Sequence, residues 1–223
     1  MNICMVPVRQ GSVRLAKKNY LKIGEFSVFE IALLKAIKSN VFDRIVLNTD
    51  DPELEEISIK MGIDFYLRRE NLASSEASSD QVVLDFFENM NCERVFWLNT
   101  ASPLQTIDDV KNFVEKAHEV NWESGVSINS KTVHTLFNES PLNFEWKFGF
   151  ARTQDLKPIK CFNYAMMGWH RTMINCLKSG QLFNENTCLV ESSKWSGLLL
   201  KNKDDMNLIK LLSRVAPNQG LKF

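Results

Sequence analysis

The segment Val6 to Asn19 concentrates positive charge. Between Arg9 and Asn19 it holds Arg9, Arg14, Lys17 and Lys18 and no acidic residue. Cations crowded at the end of an apolar run repel one another unless an anion sits among them. Gly11 and Ser12 let the backbone approach a phosphate closely and add a hydroxyl donor. The chemistry predicted here is recognition of a polyphosphate. A second segment, Leu67 to Ser79, offers Arg68 and the small cluster Ala77, Ser78 and Ser79. Backbone groups and hydroxyls at a helix start can read the edge of a base, and Ser78 or Ser79 also suits an N-cap. In a third segment, Ala151 to Lys157, Arg152 has the guanidinium that binds a carboxylate bidentately. Its spacing fits a plain surface arginine equally well.

These segments need a frame. Ile3 to Val8 reads as a strand covered on both faces. Ser27, with Glu30 three residues on, forms a capping box for a helix whose apolar positions are Val28, Ile31, Leu34 and Ile37. Arg44 to Asn48 is a second strand, and Asp51-Pro52-Glu53 opens a helix to about Met61. Phe65 to Leu67 is a short third strand, followed by a helix carrying Val82, Val83, Phe86 and Phe87. Arg94 to Leu98 is the fourth, Thr106-x-x-Asp109 starts a helix to about Val120, and Ser124 to Ile128 is the fifth. Tyr164 to Trp169 is a further strand and Asp204 to Ser213 a last helix. Strands alternating with helices predict an α/β fold, Rossmann-like, with a mostly parallel sheet and helices on both faces. Ligands in such sheets bind beyond the carboxyl ends of the strands, where the cationic loop falls. Residues 1–223 read as one domain. Residues 129–158, with Phe137, Phe144, Trp146, Phe148 and Phe150 at scattered spacing, read as an extension projecting from it.

Composition bounds the function. Lys plus Arg number 27 and Asp plus Glu 27, so the net charge is zero, which argues against a protein that coats nucleic acid. The five cysteines include no C-x-x-C pair, so buried thiols in a reducing cytosol are expected instead of zinc or disulfides. No apolar run approaches a membrane span, and the first residues read straight into a strand. A cytoplasmic protein without membrane contact is expected. The three histidines, His118, His134 and His170, form no metal or triad set.

Together these segments resemble the cytidylyltransferases that activate acidic sugars as CMP conjugates, the sialic acid, pseudaminic acid and KDO branches. Their first loop reads A-R-x-x-S-K/T-x-x-x-x-K-N, matched by Arg9, Ser12, Lys18 and Asn19, and the KDO branch's S-T-R-L is close to Ser12-Val13-Arg14-Leu15. The family's L-R-P-x-x-L-A-x-x-x-A-S-S is matched by Arg68, Ala77, Ser78 and Ser79. Its L-L-Q-P-T-S-P-L-R-T is similar to Trp97–Thr106, with Ser102, Pro103, Leu104 and Thr106 kept, Asn99 for Gln and Gln105 for Arg. Arg152-Thr153-Gln154-Asp155-Leu156 is nearest the pseudaminic branch, and Asn163 falls on the Asn of N-G-A-I-Y, with Tyr164 for Gly.

The resemblance implies CTP and an acidic sugar as substrates, and a homodimer paired through the extension. It implies nucleotide contacts from Arg9, Gln10, Gly11, Ser12, Arg14, Lys18, Asn19, Arg68, Ala77, Ser78 and Ser79. Sugar contacts would come from Asn99, Ser102, Arg152, Gln154 and Asn163. The D-x-D pair that holds magnesium in the family is replaced by Leu199 and Lys201, and neither binds a hard cation. Magnesium would then arrive with CTP, or Lys201 would supply a point charge beside Arg9 and Lys18 as a catalytic group, or the chain binds without turnover. Losing metal-based charge stabilisation raises a barrier by several kcal/mol. Two readings stand: a CMP-sugar-acid synthetase with an altered metal site, and a catalytically impaired homologue acting as a partner or regulator.

Overall fold

The computed structural model describes residues 1–12, 15–147 and 151–215. In chain order the elements begin with β1 (Asn2–Val8), β2 (Lys22–Ile23), β3 (Phe26–Ser27), α1 (Val28–Ser39), β4 (Arg44–Thr49) and α2 (Glu55–Met61). Then come β5 (Asp64–Leu67), α3 (Ser79–Asn89), β6 (Arg94–Leu98), α4 (Ile107–Glu119) and β7 (Ser124–Lys131). The remainder are β8 (Leu136–Phe137), β9 (Ser140–Pro141), β10 (Ile159–His170), α5 (Ile174–Lys178), β11 (Cys188–Glu191) and α6 (Lys203–Leu212).

One seven-stranded sheet runs in the order β11-β7-β10-β6-β1-β4-β5. β1 pairs in parallel with β4 and β6, β4 with β5, and β7 with β11. Among the described strands of this sheet β10 alone is antiparallel, wedged between β6 and β7. The α/β fold with a mostly parallel sheet is therefore present.

Side chains of β1 alternate between two cores, as the period of a strand requires. Cys4, Val6 and Val8 join Phe29, Leu33, Val110 and Phe113 under α1 and α4. Ile3 and Met5 join Val83, Phe86, Phe87 and Trp169 under α3 and α5. Burying each large side chain contributes about 1.5–3 kcal/mol. Where β6, β7 and β10 run together, backbones and rings press close. A Cβ on Gly168 would meet the Trp122 ring at 2.5 Å, so only glycine fits there.

The Ser27 box forms as expected, with Ser27 N and Oγ donating to Glu30 at 2.7 and 2.6 Å. The stripe on α1 is wider than its spacing suggests. Val28 and Ile31 pack in a third core with Leu200, Met206 and Ile209, while Phe29, Ala32, Leu33 and Ala36 face the sheet and α4. With two sides covered, Lys35 is buried and Ile37 is exposed. The 129–158 region carries the β8–β9 hairpin; Phe148 and Phe150 lie outside the described residues. β10 starts five residues earlier than Tyr164 suggests, because a register shift between Phe162 and Met167 hides its period.

Candidate functional site

Beyond the carboxyl ends of β1, β5 and β6 lies a cleft of about 270 Å³. Arg9, Ser12, Lys18 and Asn19 line it from the first loop, Arg68, Ala77, Ser78 and Ser79 from the second segment, and Asn99 from the loop after β6. Three segments far apart in sequence thus meet in one place. Among the described residues lining it, none is acidic.

Its walls are braced from behind. Asn19 is buried; its Nδ2 donates to the Arg9 carbonyl at 3.2 Å and its Oδ1 accepts from Thr100 Oγ1 at 2.7 Å. Arg9 Nη1 donates to the Ser74 carbonyl at 3.0 Å. Gln10 N donates to Asp50 Oδ1 at 3.0 Å, and Gly11 faces open space; neither lines the cleft. Arg14 lies outside the described residues. Arg68 is buried, and its Nε and Nη2 donate to Asn48 Oδ1 and Asn48 O at 2.6 and 2.8 Å. Burial lowers the Arg68 guanidinium to about 10, Asp50 opposes that shift, and the Arg9 charge adds to it. Arg9 and Arg68 therefore repel across the cleft, a field that favours an anion between them. Ser78 is the N-cap of α3, its N–H donating to Gln81 Oε1 at 3.1 Å.

A second cleft, about 440 Å³, opens at the same edge of the sheet between β7, β10 and the segment after β11. Lys131, Lys194 and Lys201 line it with Asn163, Leu199 and Glu191. Asn163 is buried: its Oδ1 accepts from Ser127 Oγ at 2.6 Å and from Ala165 N at 3.0 Å, and its Nδ2 donates to Asn129 Oδ1 at 2.9 Å. These bonds hold the bulge at which Tyr164 takes a left-handed φ of 53°, a conformation that costs a non-glycine residue about 1 kcal/mol or more. Asn99 Nδ2 donates to the Tyr164 carbonyl at 3.0 Å, so the bulge joins the two clefts. Gly197 sits so close to Asn129 Oδ1 that a Cβ there would clash.

The segment after β11 is held by Asp109. This carboxylate caps α4 with Thr106, and also accepts from Ser193 N at 2.7 Å, Ser193 Oγ at 2.6 Å and Ser196 Oγ at 2.7 Å. Burial would raise its pKa, but the hydrogen bonds from Ser193, Ser196 and Thr106 outweigh burial and hold it below the usual value. Ser102 is buried and lines neither cleft; its hydroxyl donates to the Ser196 carbonyl at 2.8 Å. Lys35 Nζ donates to the Ser102 and Pro103 carbonyls beneath the same loop. Burial lowers that ammonium to about 7, with Asp109 pulling the other way.

Arg152 is exposed and pairs with Asp155 at 2.7 Å, and it and Gln154 line neither cleft. His134 Nε2 lies 2.8 Å from the Ala151 carbonyl, and its ring meets Phe144 edge-on. Asn202 caps α6, and Asp205 Oδ2 accepts from the N–H groups of Lys201 and Asn202 at 2.8 and 3.0 Å. Among the described residues no three His, Cys, Asp or Glu side chains gather where a metal ion could be held.

Sequence reasoning did not single out Trp97, Thr100, Ser74 or Ser75, which line the first cleft, nor Lys131 and Lys194 in the second. Trp97 had a signal: it alternates with buried Phe96 and Leu98 at the end of a strand. Lys131 and Lys194 are 63 positions apart, and tertiary contacts, the β7–β11 pairing and the Asn129 bonds to Ser192 and Ser193, bring their segments together. No described helix is long and apolar enough to cross a membrane.

A model of the cytidylyltransferase family matches residues 3–148. The pseudaminic acid cytidylyltransferase of Campylobacter jejuni subsp. jejuni serotype O:2 is 32% identical over 121 residues, covering 52% of this chain and 52% of that protein. The N-acylneuraminate cytidylyltransferase of Streptococcus agalactiae serotype V is 26% identical over 212 residues, 91% of this chain and 51% of that protein. The chain thus spans about half the length of these curated relatives. In structure it resembles a CMP:2-keto-3-deoxy-manno-octonic acid synthetase complexed with CTP, with a TM-score of 0.69 and 12% identity over 96% of this chain and 98% of that one.

Proposed function

Because the chain belongs to the cytidylyltransferase family, we propose that it transfers CMP from CTP to an acidic sugar and releases pyrophosphate, in the cytoplasm, for surface glycan synthesis. The observation that carries this is the first cleft, where cationic, hydroxyl and amide side chains from three segments converge on one triphosphate-sized space. The sugar's anomeric hydroxyl oxygen would form a bond to the α-phosphorus in line. The bond from that phosphorus to the bridging oxygen breaks, pyrophosphate leaves, and the hydroxyl proton passes to solvent.

Little covalent work falls to the protein, so positioning and charge neutralisation dominate. Arg9 and Lys18, with Ser12, would neutralise the phosphates. Arg68 and the Ala77–Ser79 turn would hold ribose and cytosine. Asn99 would orient the sugar acid from the junction of the clefts. Asn163, its amide already bonded to Ser127, Ala165, Asn129 and Ser192, would act by holding the bulge there, and Arg152 and Gln154 are proposed as further sugar contacts from the loop before β10. The names of the relatives support nine-carbon acids of the pseudaminic or acylneuraminic type. The extension is proposed as a homodimer face: Leu136, Phe137, Leu142 and Trp146 are each more than half exposed.

The residues present do not fit a magnesium ion held by protein carboxylates, since Leu199 and Lys201 stand on the rim of the second cleft. That supports a second reading, a homologue that binds nucleotide without turning it over. Pyrophosphate release from CTP, measured with a panel of nonulosonic acids and KDO, separates the two. Turnover with one of them is the expected result; CTP binding with no turnover on any leaves only the second reading.

A further inference from the structure

Cations dominate the charges lining the two clefts. The first presents Arg9, Lys18 and Arg68 with no described acid, the second Lys131, Lys194 and Lys201 with Glu191 alone. Both Glu191 oxygens already accept from Ser130, its N at 2.7 Å and its Oγ at 2.8 Å. Asp50 and Asp205 border these segments and are likewise engaged by backbone N–H groups. A divalent cation brought into such surroundings meets like charge and no carboxylate pair to offset it. A triphosphate without its cation carries more negative charge and meets attraction on every side.

We infer that this chain binds CTP as the metal-free nucleotide, with the lysines of the second cleft, Lys201 and Lys194 foremost, neutralising the phosphates that a protein-held cation would otherwise cover. The inference rests on the nucleotide reading of the first cleft and would hold for either function proposed above. It turns the replacement at Lys201 into a change of binding chemistry: ammonium donors in place of metal ligands, each a compact charge on a flexible stem.

Calorimetric titration of CTP into the full chain, once in EDTA and once in excess magnesium chloride, tests it. The expected Kd in EDTA is tighter than in magnesium, because excess magnesium competes for the free nucleotide. Lys201→Met and Lys194→Met, both at exposed positions, should each weaken binding in EDTA by about fivefold to tenfold. Replacing Leu199 and Lys201 together by aspartate should reverse the preference, so that magnesium strengthens binding. An affinity in magnesium equal to or tighter than in EDTA overturns the inference while leaving the nucleotide site intact. Unchanged affinity in both lysine variants overturns it as well. No CTP binding in either buffer overturns the inference together with the nucleotide reading beneath it.

Discussion

At the scale of single residues, the two arginines of the first cleft differ in how deeply the fold depends on them. Among the described residues the Arg9 side chain makes one hydrogen bond, to the Ser74 carbonyl. Arg9→Ala is therefore expected to weaken CTP binding by more than about tenfold while changing stability by less than about 1 kcal/mol. Arg68 is tied twice to Asn48, so Arg68→Ala should weaken binding and also cost about 2 kcal/mol by leaving buried Asn48 groups unpaired. Denaturant melts beside the titrations check both; equal stability loss in the two variants would count against this division. The motif made Arg9 and Arg68 legible, because cations beside an apolar strand have few bland explanations. Lys35 was not legible, since a lysine in a helix reads as solvated and only the second packed side of α1 buries it. Its folded value, about 7, lies below the ordinary 10.5. Between those values the unfolded chain binds more protons, so this lysine makes stability rise with pH across that window. Tyr20, Tyr66 and Cys92, all raised by burial first of all, act oppositely at its alkaline end. Lys35→Met is therefore the reference. Wild type should gain more in Tm than the variant between about pH 7.5 and pH 9.5, and parallel profiles would contradict the burial argument.

At the scale of elements, the site depends on a join that no local pattern announces. The capping box at Thr106 and Asp109 is readable from their spacing. The same carboxylate's bonds to Ser193 and Ser196, 84 and 87 residues away, are not. They fix the segment that carries Leu199 and Lys201 against the loop after β6, where Leu200 N also donates to the Ala101 carbonyl at 2.7 Å. Asp109→Ala should cost about 3 kcal/mol, more than a cap alone, because buried hydroxyls lose their acceptor. Hydrogen exchange should speed up in 192–200 before it does in β1; uniform exchange would show that the join is not local. Asp109 titrates below its ordinary value, so its contribution is complete at neutral pH and is lost as the pH falls below about 4. β10 illustrates another limit. Its full span was hidden because the bulge at Asn163 and Tyr164 breaks the alternation that identifies strands. Bulges gather beside active sites, and this one joins the two clefts.

At the scale of the molecule, the sequence read well where strand and helix alternate and poorly after Asn129, where short strands and turns follow tertiary contacts more than local pattern. The net charge of zero conceals an uneven distribution: cations line both clefts, whereas Glu53, Glu55 and Glu56 gather around the start of the helix after β4. The exposed aromatics of the extension predict assembly. Sedimentation at micromolar concentration should give a dimer, and Phe137→Ser with Trp146→Ser should give a folded monomer; a wild-type monomer would contradict the dimer face. The central claim is that residues from three distant segments form one CTP site. A crystal structure of the chain with CTP tests it most directly. The phosphates are expected against Arg9, Ser12 and Lys18, with the cytidine against Arg68 and the Ala77–Ser79 turn. CTP bound elsewhere, or its phosphates turned away from Arg9 and Lys18, would contradict the account.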